Sequence, residues 1–184
     1  MKNNLHNRME TATLGGGCFW CTEAIYQQLK GVKSVTSGYS GGTIRNPAYR
    51  EVCTGRTGHA EVIQIQFAPD MISFKEILRV FFSTHDPTTL NRQGNDVGTQ
   101  YRSVIFYHNE NQKETALSSI QQLNKATIYN KPIVTEIRSF TNFYPAEDDH
   151  KNYFQQHPDQ AYCHYVILPK LEKFQEIAKD LLKD

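Results

Sequence analysis

Thr11-Ala12-Thr13-Leu14-Gly15-Gly16-Gly17-Cys18-Phe19-Trp20-Cys21-Thr22-Glu23 is the stretch that decides how this chain is read. Thr11 to Leu14 is a short β-prone run, and a helix-like pattern follows from Thr22 to Leu29. Cys18 therefore stands where a strand hands over to a helix N-terminus. Three glycines let the backbone turn sharply and leave the thiol uncrowded. The unpaired N–H groups and the positive dipole end of a helix start favour a negative charge. Thiolate is such a charge, and it is the reactive form of cysteine. The stretch points to a nucleophilic or redox cysteine; the alternative is a small buried cysteine in a tight turn. Phe19 and Trp20, directly after it, can wall an apolar pocket.

Working outward, Gly31 closes that first helix in the usual C-terminal fashion. Val32 to Tyr39 reads as a strand, and the glycine- and proline-punctuated run Ser40 to Thr57 as a long loop. Ala60 to Phe67 is the clearest strand, with Ile63, Ile65 and Phe67 on one face and Val62, Gln64 and Gln66 on the other. Parity puts Glu61 on the apolar side. A carboxylate at a frayed strand end, reached by water, fits the same parity. If buried, its pKa rises and it becomes a competent proton donor near neutral pH. Ser73-Phe74-Lys75-Glu76 matches a capping box and starts a helix burying Phe74, Ile77, Leu78 and Phe81. His85-Asp86 is its end, and Pro87 shuts it off. A second long loop runs from Thr88 to Arg102, then a strand from Ser103 to Tyr107. Asn109 caps a helix running to about Lys125, and Pro132 to Ile137 is another strand. After the aromatic-rich connection Phe140 to Pro145, Glu147 to Gln156 reads as helical. A last amphipathic helix follows Leu168-Pro169, with Leu171, Phe174, Ile177, Ala178 and Leu181 on its packed side.

The order β-α-β-β-α-β-α-β-α-α begins with the six elements of a ferredoxin-like unit. The expected fold is α+β: a two-layer α/β sandwich with a mixed sheet and extra C-terminal helices. One domain is expected over residues 1–184, with a flexible N-terminus at 1–9. A chain of 184 residues can bury a proper core. A net charge of +1 gives no reason to expect nucleic acid, and no apolar run approaches a membrane span. The N-terminus lacks the apolar segment of a signal peptide, so a cytoplasmic, reducing setting is expected. Four cysteines in a chain this long are thiols rather than a disulfide scaffold.

Tyr39, Tyr49, Glu61, Asp96 and Tyr101 fall at loop edges. Tyrosine hydroxyls and a protonated glutamate can donate hydrogen bonds to a developing oxyanion. Cys18 and Cys21 form a C-x-x-C. As half of a zinc site it lacks a second ligand pair. As a thioredoxin-like motif it carries an unusually bulky Phe-Trp. The glycines are followed neither by G-x-G-x-x-G nor by Lys-Ser/Thr, so a nucleotide loop is disfavoured. Cys53, between Val52 and Thr54, reads as a small buried hydrophobe. Cys163 falls in an expected loop.

Gly17-Cys18-Phe19-Trp20, Gly38-Tyr39-Ser40-Gly41-Gly42, Asn46 to Cys53, Thr57-Gly58-His59-Ala60-Glu61, Gly94 to Ser103 and Tyr144 to His150 occur in one order along the chain. In these stretches the sequence resembles the peptide methionine sulfoxide reductase A family. The resemblance implies reduction of methionine S-sulfoxide, free or in proteins, without metal or organic cofactor. It implies Cys18 as nucleophile, Phe19 and Trp20 as the methyl pocket, and Glu61 with Tyr49 and Tyr101 as the sulfoxide-oxygen site. Asp96 and Tyr39 would position substrate. Cys163 resembles a recycling cysteine, with Cys21 as the alternative, and the reductant would be thioredoxin. A monomer is expected, with no nucleic-acid or membrane partner. The competing readings are a general thiol–disulfide oxidoreductase and a thiol-based metal-binding module.

Overall fold

The computed structural model describes residues 8–184. The strands are, in chain order, β1 (Glu10–Gly16), β2 (Val32–Ser40), β3 (Ala60–Phe67), β4 (Arg92–Gln93), β5 (Asp96–Val97), β6 (Ser103–Tyr107), β7 (Glu136–Ser139) and β8 (Tyr144–Pro145). The helices are α1 (Phe19–Tyr26), α2 (Tyr49–Cys53), α3 (Phe74–Thr84), α4 (Glu110–Lys125), α5 (Tyr153–Gln156) and α6 (Leu168–Ile177). Six strands form one sheet in the order β7-β6-β1-β3-β2-β8. The four middle strands are all antiparallel neighbours. Each β-α-β crossover thus brackets a strand of the other, which is the ferredoxin-like arrangement. β7 joins β6 in parallel, which makes the sheet mixed.

β3 is covered on both faces. Ile63, Ile65 and Phe67 pack into the main core with α1 and α3. Val62 belongs to a second cluster with Ala60, Val104 and Phe106, closed over by Phe140 and Phe143. The aromatic connection is therefore the lid on the sheet's second face. The capping box at Ser73 forms as expected: Ser73 Oγ accepts from Glu76 N–H at 3.1 Å, and Glu76 Oε2 accepts from Ser73 N–H at 2.8 Å.

Several expectations move. α1 starts at Phe19, three residues earlier than the pattern suggests, because the Cys18 carbonyl already accepts the Cys21 and Thr22 N–H groups. The loop 40–57 contains α2, and the loop 88–102 contains the β4–β5 hairpin and a 3₁₀ turn, Thr99–Tyr101. The strand expected at 132–137 slides to Glu136–Ser139, where β6 offers a parallel edge. The helix expected over 147–156 breaks at Asn152, whose φ of 51° no helix can hold. Ile177 faces outward rather than into the core. Of the N-terminal segment expected to be flexible, residues 1–7 lie outside the described residues. No helix among the described residues is long and apolar enough to cross a membrane.

Candidate active site

β1 delivers the chain into the turn and α1 carries it away. At Gly17 the backbone is left-handed (φ +94°), and a Cβ there would meet Gln93 Cγ at 2.7 Å. Glycine is required twice over at that position. Gly15 is needed for a different reason: a Cβ would sit 3.0 Å from the Glu61 carbonyl oxygen of neighbouring β3. This close approach of two strands brings Glu61 beside the turn. Its Oε2 accepts the Phe19 N–H at 3.0 Å, so the carboxyl is tied to the residue after Cys18. Glu61 is 1% exposed, which decides between the two placements its parity allowed. Burial is the main cause that pushes its pKa up from 4.5 to about 8, against the Phe19 hydrogen bond, which lowers it.

Cys18, at the α1 N-cap position, is 7% exposed. The expectation that the helix start lowers its pKa is overturned. Burial, a hydrogen bond shared with the Cys21 thiol and the Glu61 charge all hold it well above the ordinary thiol value. Three of the N–H groups at the helix start are already used: Phe19 N–H is on Glu61, and those of Cys21 and Thr22 are on the Cys18 carbonyl. The favoured thiolate of the pair is Cys21, lowered to about 7 chiefly by the Cys18 hydrogen bond and, further down, by the Lys170 charge.

An aromatic wall stands beside the turn. Trp20 stacks on Tyr153 at 3.7 Å and 6°, and its Nε1–H donates to His150 Nδ1 at 3.1 Å. That fixes the His150 proton on Nε2, which faces Glu147 Oε2 at 3.2 Å. Glu147 also accepts the Tyr49 N–H at 3.1 Å and faces the Tyr39 hydroxyl at 3.5 Å. Tyr49 and Tyr101 are half-buried at the N-terminus of α2 and in the 3₁₀ turn. Burial first, and the Glu61 charge next, raise both hydroxyls far above a free phenol, so both stay protonated donors. Tyr39 was expected at a loop edge. It is instead a fully buried β2 residue packed under Phe19, ring centroids 5.7 Å apart. Asp96, in β5, accepts the Tyr162 hydroxyl proton at 2.7 Å.

Two cysteines differ from expectation. Cys163 lies not in an exposed loop but in a single π-helical stretch, Cys163–Ile167, with no solvent-accessible surface. Tyr162 and Leu168 at its two ends keep helical dihedrals, so the chain from Tyr162 runs on into α6 instead of opening out into the expected loop. Cys53 is exposed rather than buried, because it ends the five-residue α2, which buries only Val52.

Residues 10–181 match the model of the peptide methionine sulfoxide reductase family. This chain belongs to that family. The reductase MsrA of Polynucleobacter asymbioticus is 58% identical over 174 residues, covering 95% of this chain and 92% of that protein. MsrA of Saccharolobus solfataricus is 56% identical, covering 95% and 98%. Among solved structures, reduced Mxr1 from Saccharomyces cerevisiae superposes with a TM-score of 0.76 at 35% identity, covering 85% of this chain and 90% of that one. Mxr1 in complex with Trx2 matches with a TM-score of 0.53 at 26% identity, covering 79% and 85%.

The fold therefore brings together Cys18, Cys21, Phe19, Trp20, Tyr49, Glu61, Asp96 and Tyr101 around one turn of this reductase-family chain. Residues that line the candidate site and that sequence reasoning missed are His150, Glu147, Tyr153, Tyr162 and Lys170. The first two sit in the stretch Tyr144 to His150, which signalled a role without giving it. Tyr153, Tyr162 and Lys170 carry no local signal, since only the C-terminal segment's path brings them here. A cavity of about 1290 Å³ lies elsewhere, between α3, α4 and α6. Its lining approaches the Cys18 turn through His85, Gln93 and Lys170 and does not include Cys18. Among the described residues, no group of three His, Cys, Asp or Glu is placed to hold a metal.

Proposed function

We propose that this chain reduces methionine S-sulfoxide, free or in proteins, to methionine, with thioredoxin as the terminal reductant in the cytoplasm. The observation that carries the reading is the Glu61 carboxyl. It is desolvated and proton-bearing to about pH 8, and it is hydrogen-bonded to the amide next to Cys18. Cys18 Sγ attacks the sulfoxide sulfur while Glu61 delivers a proton to its oxygen. The Tyr49 and Tyr101 hydroxyls are donors for that oxygen as it gains charge. Phe19 and Trp20 hold the methyl group, with Asp96 and Tyr39 setting the pocket around them. Methionine leaves and Cys18 becomes a sulfenic acid. Cys163 or Cys21 condenses with it to a disulfide, releasing water, and an external dithiol reduces that disulfide.

Similarity to Mxr1, solved with Trx2, supports thioredoxin as that dithiol. The test is methionine formation from the S-sulfoxide with dithiothreitol in a chelator, with insulin disulfides as a control substrate. Turnover of sulfoxide in the chelator is expected. Loss of activity in the chelator would favour a metal module, and faster insulin reduction a general disulfide oxidoreductase.

A further inference from the structure

The sulfoxide-reducing step leaves one ionisable cluster unused. Cys21 Sγ lies 3.9 Å from Lys170 Nζ and 3.8 Å from the Tyr162 hydroxyl. Lys170, in the first turn of α6, makes no ion pair with a carboxylate among the described residues. Its ammonium is aimed at a thiol that is 3% exposed. The other charged or titratable groups facing Cys21 are Cys18 from the turn, Glu61 from β3, Asp96 from β5, and Tyr162 and Cys163 from the C-terminal segment. Glu61 keeps its proton through neutral pH, and Asp96 opposes a thiolate. Tyr162 has one hydroxyl proton. At 2.7 Å that proton belongs to Asp96, so Tyr162 can serve the Cys21 sulfur only by giving Asp96 up. Lys170 is the cation that faces Cys21, and its charge adds to the larger effect of the Cys18 hydrogen bond in favouring an ionised Cys21.

Cys163 has no such helper. Its thiol is buried, and its pKa is raised by that burial and by the Cys21 charge. Cys18 and Cys21 bracket one turn, with the first at the N-cap position, so their side chains meet without unwinding the helix.

We propose that Lys170 is a positioning residue that holds Cys21 as an ionised thiol, and that Cys21, ahead of Cys163, makes the first bond to the Cys18 sulfenic acid. This rests on the sulfoxide-reducing reading above. The Cys21 thiolate attacks Cys18 Sγ; the S–S bond forms and the Cys18 S–O bond breaks. The proton shed by Cys21 leaves with the oxygen as water. The sulfenic sulfur is reduced and the Cys21 sulfur oxidised, so no outside oxidant enters.

The experiment is a single turnover of the full chain with excess methionine sulfoxide and no reductant, from pH 5.5 to 8.5. Methionine is counted, the sulfenic acid is trapped with dimedone over time, and the first disulfide is identified by peptide mapping. The wild type is expected to give one methionine per chain, a Cys18–Cys21 link, and a rate of sulfenic acid loss that rises with pH around neutrality. In Cys21→Ser the trapped sulfenic acid persists. Lys170→Met moves the midpoint of the pH profile up by about one unit, the scale of one nearby opposite charge. Lys170→Arg brings it back. A purely structural Lys170 would change rates without moving that midpoint. A first link between Cys18 and Cys163, or an unmoved midpoint in Lys170→Met, overturns the proposal while the methionine burst stands. Absence of the methionine burst in the wild type would instead sink the sulfoxide-reducing reading itself.

Discussion

The Cys18 turn and the C-terminal segment hold the same two cysteines' surroundings in opposite ways. The turn is built from regular elements: β1 is paired on both sides, and α1 buries seven of its eight residues. The segment from Asn152 to Leu181 is assembled from a left-handed residue, a four-residue helix, a π-helical stretch and a short amphipathic helix. Yet it lays Tyr153 on Trp20, and Tyr162 and Lys170 on Cys21. In the proposed mechanism the step that takes oxygen from substrate is seated in the regular frame, and the step that restores the thiols draws on a segment whose irregular backbone is aimed by packing of Ile167, Leu171 and Phe174 into the core.

The widest break in this contrast comes from Cys18→Ser. Methionine formation per chain should vanish, in single turnover as well as with dithiothreitol, because Cys18 is the cysteine whose following amide is held by Glu61. Normal turnover by this variant would move the chemistry out of the turn altogether.

Much of the frame was legible in sequence because it follows from local rules. Alternation placed β3, the capping box placed α3, and the glycine run placed Cys18 between strand and helix. Parity put Glu61 on the apolar face, though only the closeness of β1 at Gly15 decided its burial. The start of α1 was misplaced because Phe19-Trp20-Cys21 does not look amphipathic; a helix buried nearly all round has no polar face to show. The C-terminal segment was not legible for a physical reason. Cys163 between Pro158 and Pro169 suggests a loop, whereas Pro169 sits at the first turn of α6, where proline is tolerated. The approach of Lys170 to Cys21 spans 149 residues of sequence, which no local pattern encodes.

Next in size is Glu61→Gln. The amide keeps the shape and a carbonyl for the Phe19 N–H, but has no proton to deliver. The single-turnover rate should fall by ~10²-fold or more, the scale of a positioned acid. In the wild type the same step should decline as pH rises through about 8, where Glu61 loses its proton. The stability side has the same sign. A carboxyl whose folded pKa is raised contributes fully below its ordinary value near 4.5 and loses that contribution as pH rises through about 8. Glu61→Gln should flatten that alkaline fall in urea-unfolding midpoints. An unchanged rate would pass the proton to Tyr49 or Tyr101.

Tyr153→Ala sharpens the comparison from the other side, since it removes the C-terminal segment's grip on the pocket. The lost partner is a parallel stack at 3.7 Å. Such pairs are worth about 0.5–1.5 kcal/mol, or about two- to tenfold in an equilibrium constant. The change is expected in KM for a methionine sulfoxide peptide, with kcat nearly preserved. A fall in kcat with KM unchanged would show that Tyr153 acts on the chemistry instead of on the Trp20 pose.

The smallest effect is expected at Cys53, and it is the one that tests whether exposure or surroundings make a thiol useful here. Cys53 is the only exposed cysteine of the four, so reagents should reach it first. Its pKa is nevertheless raised, by partial burial and then by the Glu61 and Glu147 charges, and no cation offsets them. Its one helpful neighbour is the Tyr49 side chain, with which it shares a hydrogen bond. A serine hydroxyl can keep that bond, so Tyr49 stays in place. Cys53→Ser should hold thioredoxin-coupled turnover within about twofold of wild type, as expected for a surface change away from any buried network. Turnover with dithiothreitol and with thioredoxin should move together. If only the thioredoxin-coupled rate dropped tenfold, Cys53 would be carrying the disulfide outward, and recycling would leave by the α2 side of the pocket and not through the C-terminal segment.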